Sequence, residues 1–274
     1  MSRNLRIIHC LRAPVGGLFR HVVDLAVEQS LVGHEVGVIY DSSTESPAVQ
    51  PQLDLLRQRC SLGVRSTKMP RLIHLHDYTA YRALKKFASE TDAQILHGHG
   101  AKGGAYARLA SRALSKGQNS TLSFYTPHGG SLHYSPNSLK GKLFLGLERT
   151  LAKMTNGLIF ESAYSSHIYH EVVGRGFCPM KVIPNGLKAD EFIPVPLHPD
   201  AADFLFIGEL RQLKGVDLLL KAFARLLKET PSLRLAIVGD GPDMKAFQTL
   251  TQELSLTSQV HFYGRLPARE AFSL

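Results

Sequence analysis

Apolar residues along this chain recur at two spacings, and the stretch Asp203–Pro242 shows both. A short apolar run, Phe204–Ile207, stops at Gly208, and a second run, Leu233–Val238, ends in a glycine-containing turn. Strand, helix and strand in this order predict a right-handed parallel unit whose ligands lie over the carboxyl ends of the strands. The helix between the runs is predicted from apolar residues three and four positions apart: Leu218, Leu219, Ala222, Phe223, Leu226 and Leu227.

Strand-type apolar runs and helix patterns alternate through the rest of the chain as well, and this order predicts an α/β fold. Before residue 186 it predicts seven strands: Leu5–Cys10, Val36–Tyr40, Leu62–Ser66, Gln94–His97, Thr121–Thr126, Gly157–Phe160 and Lys181–Ile183. The helices predicted between them are Leu18–Val32, Leu53–Arg59, Ala80–Ser89, Ala101–Leu114, a helix through Leu139–Leu151, and Ala163–Val173. After Pro242 we expect a helix, Met244–Leu254, a strand, Gln259–Tyr263, and the start of a helix near Pro267.

A segment with three prolines, Asp190–Asp200, has the composition of a linker. We therefore expect two domains, 1–185 and 186–274. The second would contain only three strands, which leaves one face and one edge of its sheet uncovered. On this pattern the first domain is complete and the second is partial.

The composition excludes several classes of protein. A hydrophobic fraction of 44% and a charged fraction of 20% are typical of a globular protein. The three cysteines are widely separated and predict neither a disulfide framework nor a zinc site. The first residues form too short an apolar stretch for a signal peptide, and no uncharged run approaches the ~20 residues that span a bilayer. We expect a cytoplasmic protein.

The net charge of +9, with an isoelectric point near 9.5, favours anionic partners such as nucleotides, nucleic acid or an anionic membrane, or else serves only solubility. Nucleic acid is the weakest of these, since no aromatic stacking motif or known module accompanies the charge. The leucines at 139, 143, 147 and 151 form one helical stripe, with Lys140, Lys142, Arg149 and Lys153 on the other faces. Such a helix either packs on a sheet with its lysines in water or lies on the inner face of an anionic membrane.

Loops after the first-domain strands supply candidate binding residues. Gly16 and Gly17, followed by Arg20 and His21, could admit a phosphate close to the N–H groups of a helix start, or could form only a tight turn. The G-x-G-x-x-G form of dinucleotide-binding turns is absent from this first turn. Without an acidic residue placed for ribose, a dehydrogenase is the weaker interpretation.

Histidines follow two later strands. His97 and His99 are two residues apart, so both can face one side of a strand and share a metal. Without a third ligand they are better explained as structural histidines, and we expect no metal. His128 lies between a proline and two glycines, and this constrained position suits hydrogen bonding or acid–base chemistry, although an ordinary loop histidine would fit too.

In the second domain, Arg211 and Lys214 follow Gly208 just before a helix start. A planar guanidinium and an ammonium could together neutralise a diphosphate. The alternative is an exposed turn that carries two cations. Gly239 and Gly241 form the corresponding turn after the next strand.

Taken together, these segments resemble the family 4 retaining glycosyltransferases of the GT-B fold. The resemblance covers almost the whole chain, and the VIPNGL–FIGELRQLKG–LAIVGDGP combination is its most specific part. The matching segments are GGLFRH (Gly16–His21), ILHGHG (Ile95–Gly100), TPHGG (Thr126–Gly130), ERTLAKMTNGLIFES (Glu148–Ser162), VIPNGL (Val182–Leu187), FIGELRQLKGVDLLLKAF (Phe206–Phe223), LAIVGDGP (Leu235–Pro242) and VHFYGR (Val260–Arg265).

The resemblance implies two Rossmann-like domains, the first for an acceptor and the second for a nucleotide-sugar donor. Gly16 and Gly17 would meet the donor diphosphate, and His128 would contact the transferred sugar near its anomeric carbon. Lys214, with an arginine, would hold the diphosphate. The Gly239–Gly241 turn would lie near the nucleoside, with Gly208 in the donor loop. Family members use no cofactor or bound metal, and their acceptors are glycans or lipid-linked glycans of polysaccharide biosynthesis.

Two departures from the family pattern qualify this expectation. The usual arginine five residues before the loop lysine is replaced by Glu209, and Arg211 is the nearest substitute. The E-x7-E segment and the helix that returns to the first domain are both absent from this sequence. The alternative function is therefore an inactive fragment that binds nucleotide weakly or only packs against a partner.

Overall fold

A computed structural model describes residues 4–115, 120–129, 132 and 134–274. Gly130, the last residue of the TPHGG segment, lies outside the described residues. The chain divides into two compact units, Met1–Gly186 and Leu187–Leu274, each with its own sheet and core. Among the described helices, none is both long and apolar enough to cross a membrane.

The first unit alternates strands and helices along its length. Its strands are β1 (Arg6–Leu11), β2 (Glu35–Asp41), β3 (Gly63–Thr67), β4 (Ile95–His99), β5 (Leu122–Thr126), β6 (Gly157–Phe160) and β7 (Met180–Val182). Its helices are α1 (Gly16–Leu31), α2 (Gln50–Arg59), α3 (His76–Glu90), α4 (Gly100–Leu114), α5 (Leu139–Ala152) and α6 (Ala163–Val172).

These seven strands are parallel, in the order β3-β2-β1-β4-β5-β6-β7. The order is that of the doubly wound Rossmann fold, in which the chain leaves β1 toward one edge and β4 toward the other. Alternate strand residues point to opposite faces, so Ile8 packs with α3 and α4 while Val36 and Val38 pack with α1 and α2. Burial on both faces explains why the strands have continuous apolar runs.

The second unit contains β8 (Phe204–Ile207), α7 (Val216–Leu226), β9 (Leu235–Val238), α8 (Met244–Glu253), β10 (Val260–Gly264) and α9 (Ala268–Phe272). Its strands are parallel in the order β10-β9-β8, and every residue of the central strand β9 is buried. Leu220 and Phe223 of α7 pack with Ile237 and with Phe247 of α8. The predicted α/β class of two Rossmann-like sheets is confirmed.

The proline-rich segment is not a free connector. It begins with a 3-10 turn, Ala189–Phe192, and the N–H of His198 donates to the carbonyl of Ser273 at 2.7 Å. Arg269 donates to the carbonyl of Asp190. These bonds attach the segment to the C-terminal residues of the second unit.

Helix α5 does not present its leucine stripe to the sheet. Leu139 is 87% exposed and Leu143 is 54% exposed, so the expectation that this stripe packs on the sheet is wrong. The buried residues of α5 are Gly141, Leu145, Glu148 and Ala152. Glu148 is on this face because it pairs with a buried arginine of α4, a partner that the leucine pattern does not reveal.

Candidate functional site

The carboxyl ends of β1, β4 and β5 lie side by side, since β4 pairs with β1 on one side and with β5 on the other. The strand order reverses between β1 and β4, and open sheets of this kind bind ligands in the crevice at such a point. His99 is the last residue of β4, and His128 follows the end of β5. The histidines predicted from separate strands therefore meet at one edge of the sheet.

Helix α4 approaches this edge closely because glycines occupy the contact. A Cβ on Gly98 would lie 2.5 Å from the Cα of Gly104, and one on Gly103 would overlap the carbonyl of Cys10. A side chain at Gly104 would overlap the ring of Tyr125. The G-x-G-x-x-G spacing that the first turn lacks thus occurs at Gly98–Gly103, where it serves close helix–strand packing.

Four side chains form a continuous row of hydrogen bonds that runs from α1 through β1 to the carboxyl ends of β4 and β5. Gln29 Oε1 lies 2.7 Å from His9 Nε2, and His9 Nδ1 lies 3.0 Å from His99 Nε2. His99 Nδ1 lies 3.2 Å from His128 Nε2. His9 and Gln29 were not predicted as site residues, but His9 is the register partner of His97, so the strand order alone would have revealed His9.

The remaining histidines pack against this row. His97 Nε2 lies 2.9 Å from the hydroxyl of Thr126. The ring of His21 is 5.8 Å from that of His99 and 5.2 Å from that of His128, measured between centroids. The sequence placed His21 in the Gly16 turn and His128 in a distant loop, and the structure brings them into contact.

Burial keeps these imidazoles neutral. It lowers the pKa of His9 from 6.5 to about 4, and burial together with the neighbouring His21 lowers the pKa of His128 to about 4. The pKa values of His97 and His99 are well below the usual value because both rings are buried and surrounded by other histidines. At neutral pH each ring therefore has one N–H donor and one bare acceptor nitrogen.

His128 has a backbone φ of +48°, a left-handed conformation that is uncommon for a residue with a side chain. It costs on the order of 1 kcal/mol, and such strain clusters at functional sites. The hydrogen bond to His99 holds the ring in place.

Among the residues that the structure describes, two groups of three histidines could hold a metal ion: His9, His97 and His99, and separately His21, His99 and His128. Within each group, one ring nitrogen from each histidine lies within 4.8 Å of the others. A divalent ion in the first group would displace the His9–His99 hydrogen bond. It would also carry two charges into a buried position among neutral ligands, and uncompensated burial of charge is costly. For His9, His97 and His99, the hydrogen-bonded row and a bound metal are therefore alternatives.

A cavity of about 1200 Å³ opens beside His99 and His128. Exposed leucines of α5, Leu143 and Leu147, form part of its wall together with Leu72 and Ile73. Arg12, Arg71 and Lys140 add positive charge to the lining, and Lys102, also in the lining, is bound to Asp77 at 2.6 Å. The cavity therefore combines an apolar wall with cations, a combination that suits an amphipathic anionic ligand.

Behind this wall, α4 and α5 are joined by a buried ion pair. The guanidinium of Arg108 donates to both carboxylate oxygens of Glu148, at 2.6 and 3.1 Å, and lies over the ring of Tyr125 at 4.0 Å. Tyr169 donates to the same carboxylate. Both charged side chains are almost fully buried, so the pair fixes α5, and hence the cavity wall, relative to α4.

Gly16 and Gly17 form the start of α1. Gly16 has a φ of +67°, which favours glycine, and no described atom lies within 4 Å of a Cβ placed on either residue. Val15 precedes the helix, and among the described residues no side chain caps it. The first N–H groups of α1 therefore remain available at an open surface, as the phosphate hypothesis requires.

In the second unit, the turns after β8 and β9 press against each other. A Cβ on Gly239 would overlap the carbonyl of Gly208, and one on Gly241 would overlap the carbonyl of Leu210. The N–H of Leu210 donates to the carbonyl of Asp240 at 3.0 Å. Gly208 and the Gly239–Gly241 turn, predicted at the ends of two different strands, thus form one packed backbone structure.

The cations of this loop differ in their surroundings. Arg211 donates from Nε to Glu209 Oε1 at 2.6 Å, and both side chains are about half-exposed. Lys214 ends a 3-10 turn before α7 and forms no ion pair with any residue that the structure describes. Lys214 is therefore the loop cation whose charge is not already balanced by a neighbour.

Comparisons with known proteins agree with this architecture. Residues 15–191 match the family described as Glycosyltransferase Family 4, and residues 188–273 match Glycosyl transferases group 1. The chain is 28% identical over 246 residues to the putative glycosyltransferase EpsD of Bacillus subtilis, which covers 85% of this chain and 61% of EpsD. It is 28% identical over 261 residues to a phosphatidyl-myo-inositol mannosyltransferase of Mycolicibacterium smegmatis, covering 92% of this chain and 61% of that protein.

Solved structures share the fold. A sucrose-phosphate synthase from Thermosynechococcus elongatus superposes with a TM-score of 0.75 at 17% identity, covering 99% of this chain and 73% of the other. Anabaena HepE, solved with UDP and glucose, superposes with a TM-score of 0.74 at 19% identity, covering 98% and 71%. These likenesses are to GT-B glycosyltransferases.

The chain spans about three fifths of the length of EpsD and of the mannosyltransferase. Even so, the first family match alone covers more than half of this chain, and it includes His21, His97, His99 and His128. The chain belongs to Glycosyltransferase Family 4.

Proposed function

We propose that this chain transfers a sugar from a nucleotide-diphosphate-sugar donor to a glycan or lipid-linked acceptor, with retention of configuration and without a bound metal. Residues 1–185 would hold the acceptor, and residues 186–274 would hold the donor. The observation that carries the proposal is the cavity of about 1200 Å³ with His128 in its wall, in a chain of this family.

The lining of the cavity supports an acceptor that has both apolar and anionic parts. Leu143 and Leu147 are exposed to it, so a hydrocarbon or a sugar face can pack there and remove apolar surface from water. Arg12, Arg71 and Lys140 would attract a phosphate of a lipid-linked acceptor. Four curated relatives have inositol lipids in their names, and this chemistry agrees with the lining.

The packed turns of the second unit support the donor site. Gly208, Gly239 and Gly241 keep side chains away from the backbone at the carboxyl ends of β8 and β9, where a nucleotide can approach closely. Lys214 stands at the start of α7, whose first N–H groups have no side-chain cap among the described residues. An ammonium and a helix N-terminus together favour a diphosphate.

The chemistry follows from these groups. As the bond from the anomeric carbon to the donor diphosphate breaks, negative charge grows on the leaving diphosphate, and Lys214 stabilises it together with backbone N–H groups. His128 would contact the sugar near the anomeric centre through its ring. With cations in this role, the reaction would proceed without a metal, and the acceptor would attack from the face that the diphosphate leaves.

Calorimetry with UDP, GDP and NAD tests the proposal. We expect one nucleoside diphosphate to bind and NAD not to bind, and Lys214→Ala to weaken the diphosphate affinity about tenfold by removing one charge contact. Lys221→Ala, which removes a lysine from α7 outside the loop, is the matched control. Tight NAD binding without a response to either diphosphate would overturn the proposal.

Transfer itself is tested with the matching nucleotide sugar and a lipid-linked glycan. The anomeric proton of the product, observed by NMR, reports retention or inversion, and the rate in the presence of EDTA reports metal dependence. An inverted product or a rate abolished by EDTA and restored by a divalent ion would contradict those parts of the proposal.

A module that binds nucleotide weakly without transfer is the second candidate. The Glu209–Arg211 pair favours it, because a carboxylate beside the loop opposes a bound diphosphate. Weak diphosphate binding together with no transfer from any nucleotide sugar would select this candidate.

A further inference from the structure

The hydrogen bonds of the row Gln29–His9–His99–His128 must all run in the same direction, from donor to acceptor. A neutral imidazole carries a proton on one nitrogen only, so each ring in the row donates in one direction and accepts from the other. The direction of the first hydrogen bond therefore determines the direction of all the others. All three links are at hydrogen-bond distance, between 2.7 and 3.2 Å.

Gln29 supplies that first bond. Its Oε1 faces His9 Nε2 and can only accept, so with this orientation of the amide His9 Nε2 carries the proton and His9 Nδ1 is bare. His99 Nε2–H then donates to His9 Nδ1, which leaves His99 Nδ1 bare. His128 Nε2–H donates to His99 Nδ1 in turn, and the nitrogen of His128 left for a ligand is Nδ1, an acceptor.

Protonation at neutral pH does not change this order. His9 and His99 are fully buried, and burial lowers the pKa of both, so neither carries a second proton at neutral pH. His97 is engaged with Thr126, and His21 touches the row only through its ring. The row thus connects two separate openings: Gln29 lines a groove of about 380 Å³, whereas His128 lines the large cavity.

We propose that Gln29 is a positioning residue, which acts through His9 and His99 to make Nδ1 of His128 a hydrogen-bond acceptor toward the ligand in the cavity. A ligand that meets this nitrogen must offer a donor, and a sugar hydroxyl is such a group. The identification of the ligand as a sugar rests on the proposed function. The assignment of the His128 tautomer does not rest on it.

Substitutions at Gln29 change the end of the row without touching the cavity. Gln29→Leu removes the acceptor, so His128 should pass from one tautomer to a mixture of two. Gln29→Lys offers a donor to His9 Nε2, which reverses every bond and should place the proton of His128 on Nδ1. Glu28→Leu and Glu28→Lys are the matched controls, because Glu28 is on the same helix and lines the same groove but lies outside the row.

The readout is a long-range proton–nitrogen correlation spectrum of the full chain with labelled histidine, in which protonated and bare ring nitrogens are distinguished. His128→Gln identifies the His128 signals, and circular dichroism shows that each variant is folded. We expect a single Nε2–H tautomer in the wild type and in both Glu28 variants, and a change in both Gln29 variants. An unchanged His128 tautomer in folded Gln29→Leu and Gln29→Lys would overturn the inference.

Turnover separates this inference from the proposed function. If the wild type transfers sugar, Gln29→Lys should lower kcat by about 10-fold to 100-fold, as expected when one hydrogen bond to the reacting ligand is lost, with donor affinity unchanged. An undiminished kcat in a variant with the reversed tautomer would overturn the assigned role toward the sugar. If the wild type transfers no sugar, the proposed function fails, and the spectra still decide whether Gln29 sets the tautomer.

Discussion

The first unit buries the polar side chains of its candidate site, whereas the second leaves those of its candidate loop at the surface. His9, His97 and His99 are at most 4% exposed, and each is hydrogen-bonded to another side chain. In the second unit, Glu209 and Arg211 have side-chain exposures of 51% and 41% and pair with each other in water. The tightly packed part of that unit is the backbone of its glycine turns.

The difference separates two ways of preparing a binding site. A buried hydrogen bond is costly to lose, about 1–3 kcal/mol for each unsatisfied group, so the histidine row holds one arrangement before any ligand arrives. An exposed ion pair contributes little to stability and can exchange its partner. The first unit is preorganised, and the second can rearrange its charges around an anion.

The largest contrast should come from the two ion pairs. Arg108→Met leaves the Glu148 carboxylate buried and unpaired, and we expect a loss of about 3–5 kcal/mol in the free energy of unfolding. The matched control, Arg211→Met in the exposed pair, should leave the urea midpoint unchanged. Replacing both buried partners, Arg108→Met with Glu148→Leu, should recover most of the loss. Equal effects of the two single variants on urea unfolding would break the comparison.

Acid should destabilise the first unit. Burial lowers the pKa of His9 and His128 from 6.5 to about 4, so between these values the unfolded chain binds protons that the folded chain does not. Above pH 6.5 neither state binds them, and below about pH 4 the penalty is complete. Each such histidine should reduce the free energy of unfolding by about 1.4 kcal/mol per pH unit across this window.

Urea titrations followed by circular dichroism at several pH values measure this slope. His9→Asn removes one titrating group and should make the slope shallower. An identical slope in that variant would show that the acid sensitivity arises elsewhere.

Glycine replacements should sharpen the contrast between packed and open backbone. Gly241→Ala forces a methyl group against the Leu210 carbonyl, and we expect a loss of about 1–3 kcal/mol in the stability of the second unit. Gly146→Ala in α5 has open space around it and should stabilise its helix by about 0.5–1 kcal/mol.

Gly17→Ala also has open space around the added methyl group. A folded Gly17→Ala variant that loses nucleotide affinity would therefore indicate that a ligand approaches the backbone closely at this position. Thermal unfolding and calorimetry provide the two measurements.

The smallest change in free energy is expected at the exposed Glu209–Arg211 pair of the second unit. Glu209→Gln frees Arg211 and removes a carboxylate that repels a diphosphate, so nucleoside diphosphate affinity should rise a few-fold, by about 0.5–1 kcal/mol. Glu229→Gln, a change of equal charge at the far end of the α7 segment, controls for net charge. A fall in affinity would mean that Glu209 itself contacts the nucleotide.

Local patterns predicted most of the fold. β6 and β8 coincide with their predicted bounds because each is an apolar run that ends at a turn. α3 begins at His76 instead of Ala80, since Asp77 accepts from the N–H of His74 and is held by Lys102 of α4. That contact joins residues 25 positions apart, and periodicity carries no information about it.

The site was less predictable for the same reason. His97 and His99 were expected to face one side of a strand, and their rings are indeed 4.0 Å apart. His9 completes the cluster only because β1 lies beside β4, a fact of strand order. The leucine stripe of α5 predicted the amphipathic helix but not its rotation, which the buried Glu148 determines.

The tyrosines, two of which are buried around the Arg108–Glu148 pair, also provide an intrinsic spectroscopic signal. The chain contains nine tyrosines and no tryptophan, and Tyr263 is the only tyrosine after residue 186. Tyr125 and Tyr169 are fully buried beside the ion pair. Ultraviolet absorbance and tyrosine fluorescence will therefore report almost entirely on the first unit, while circular dichroism reports on both, so the two melting transitions can be followed separately without an added dye.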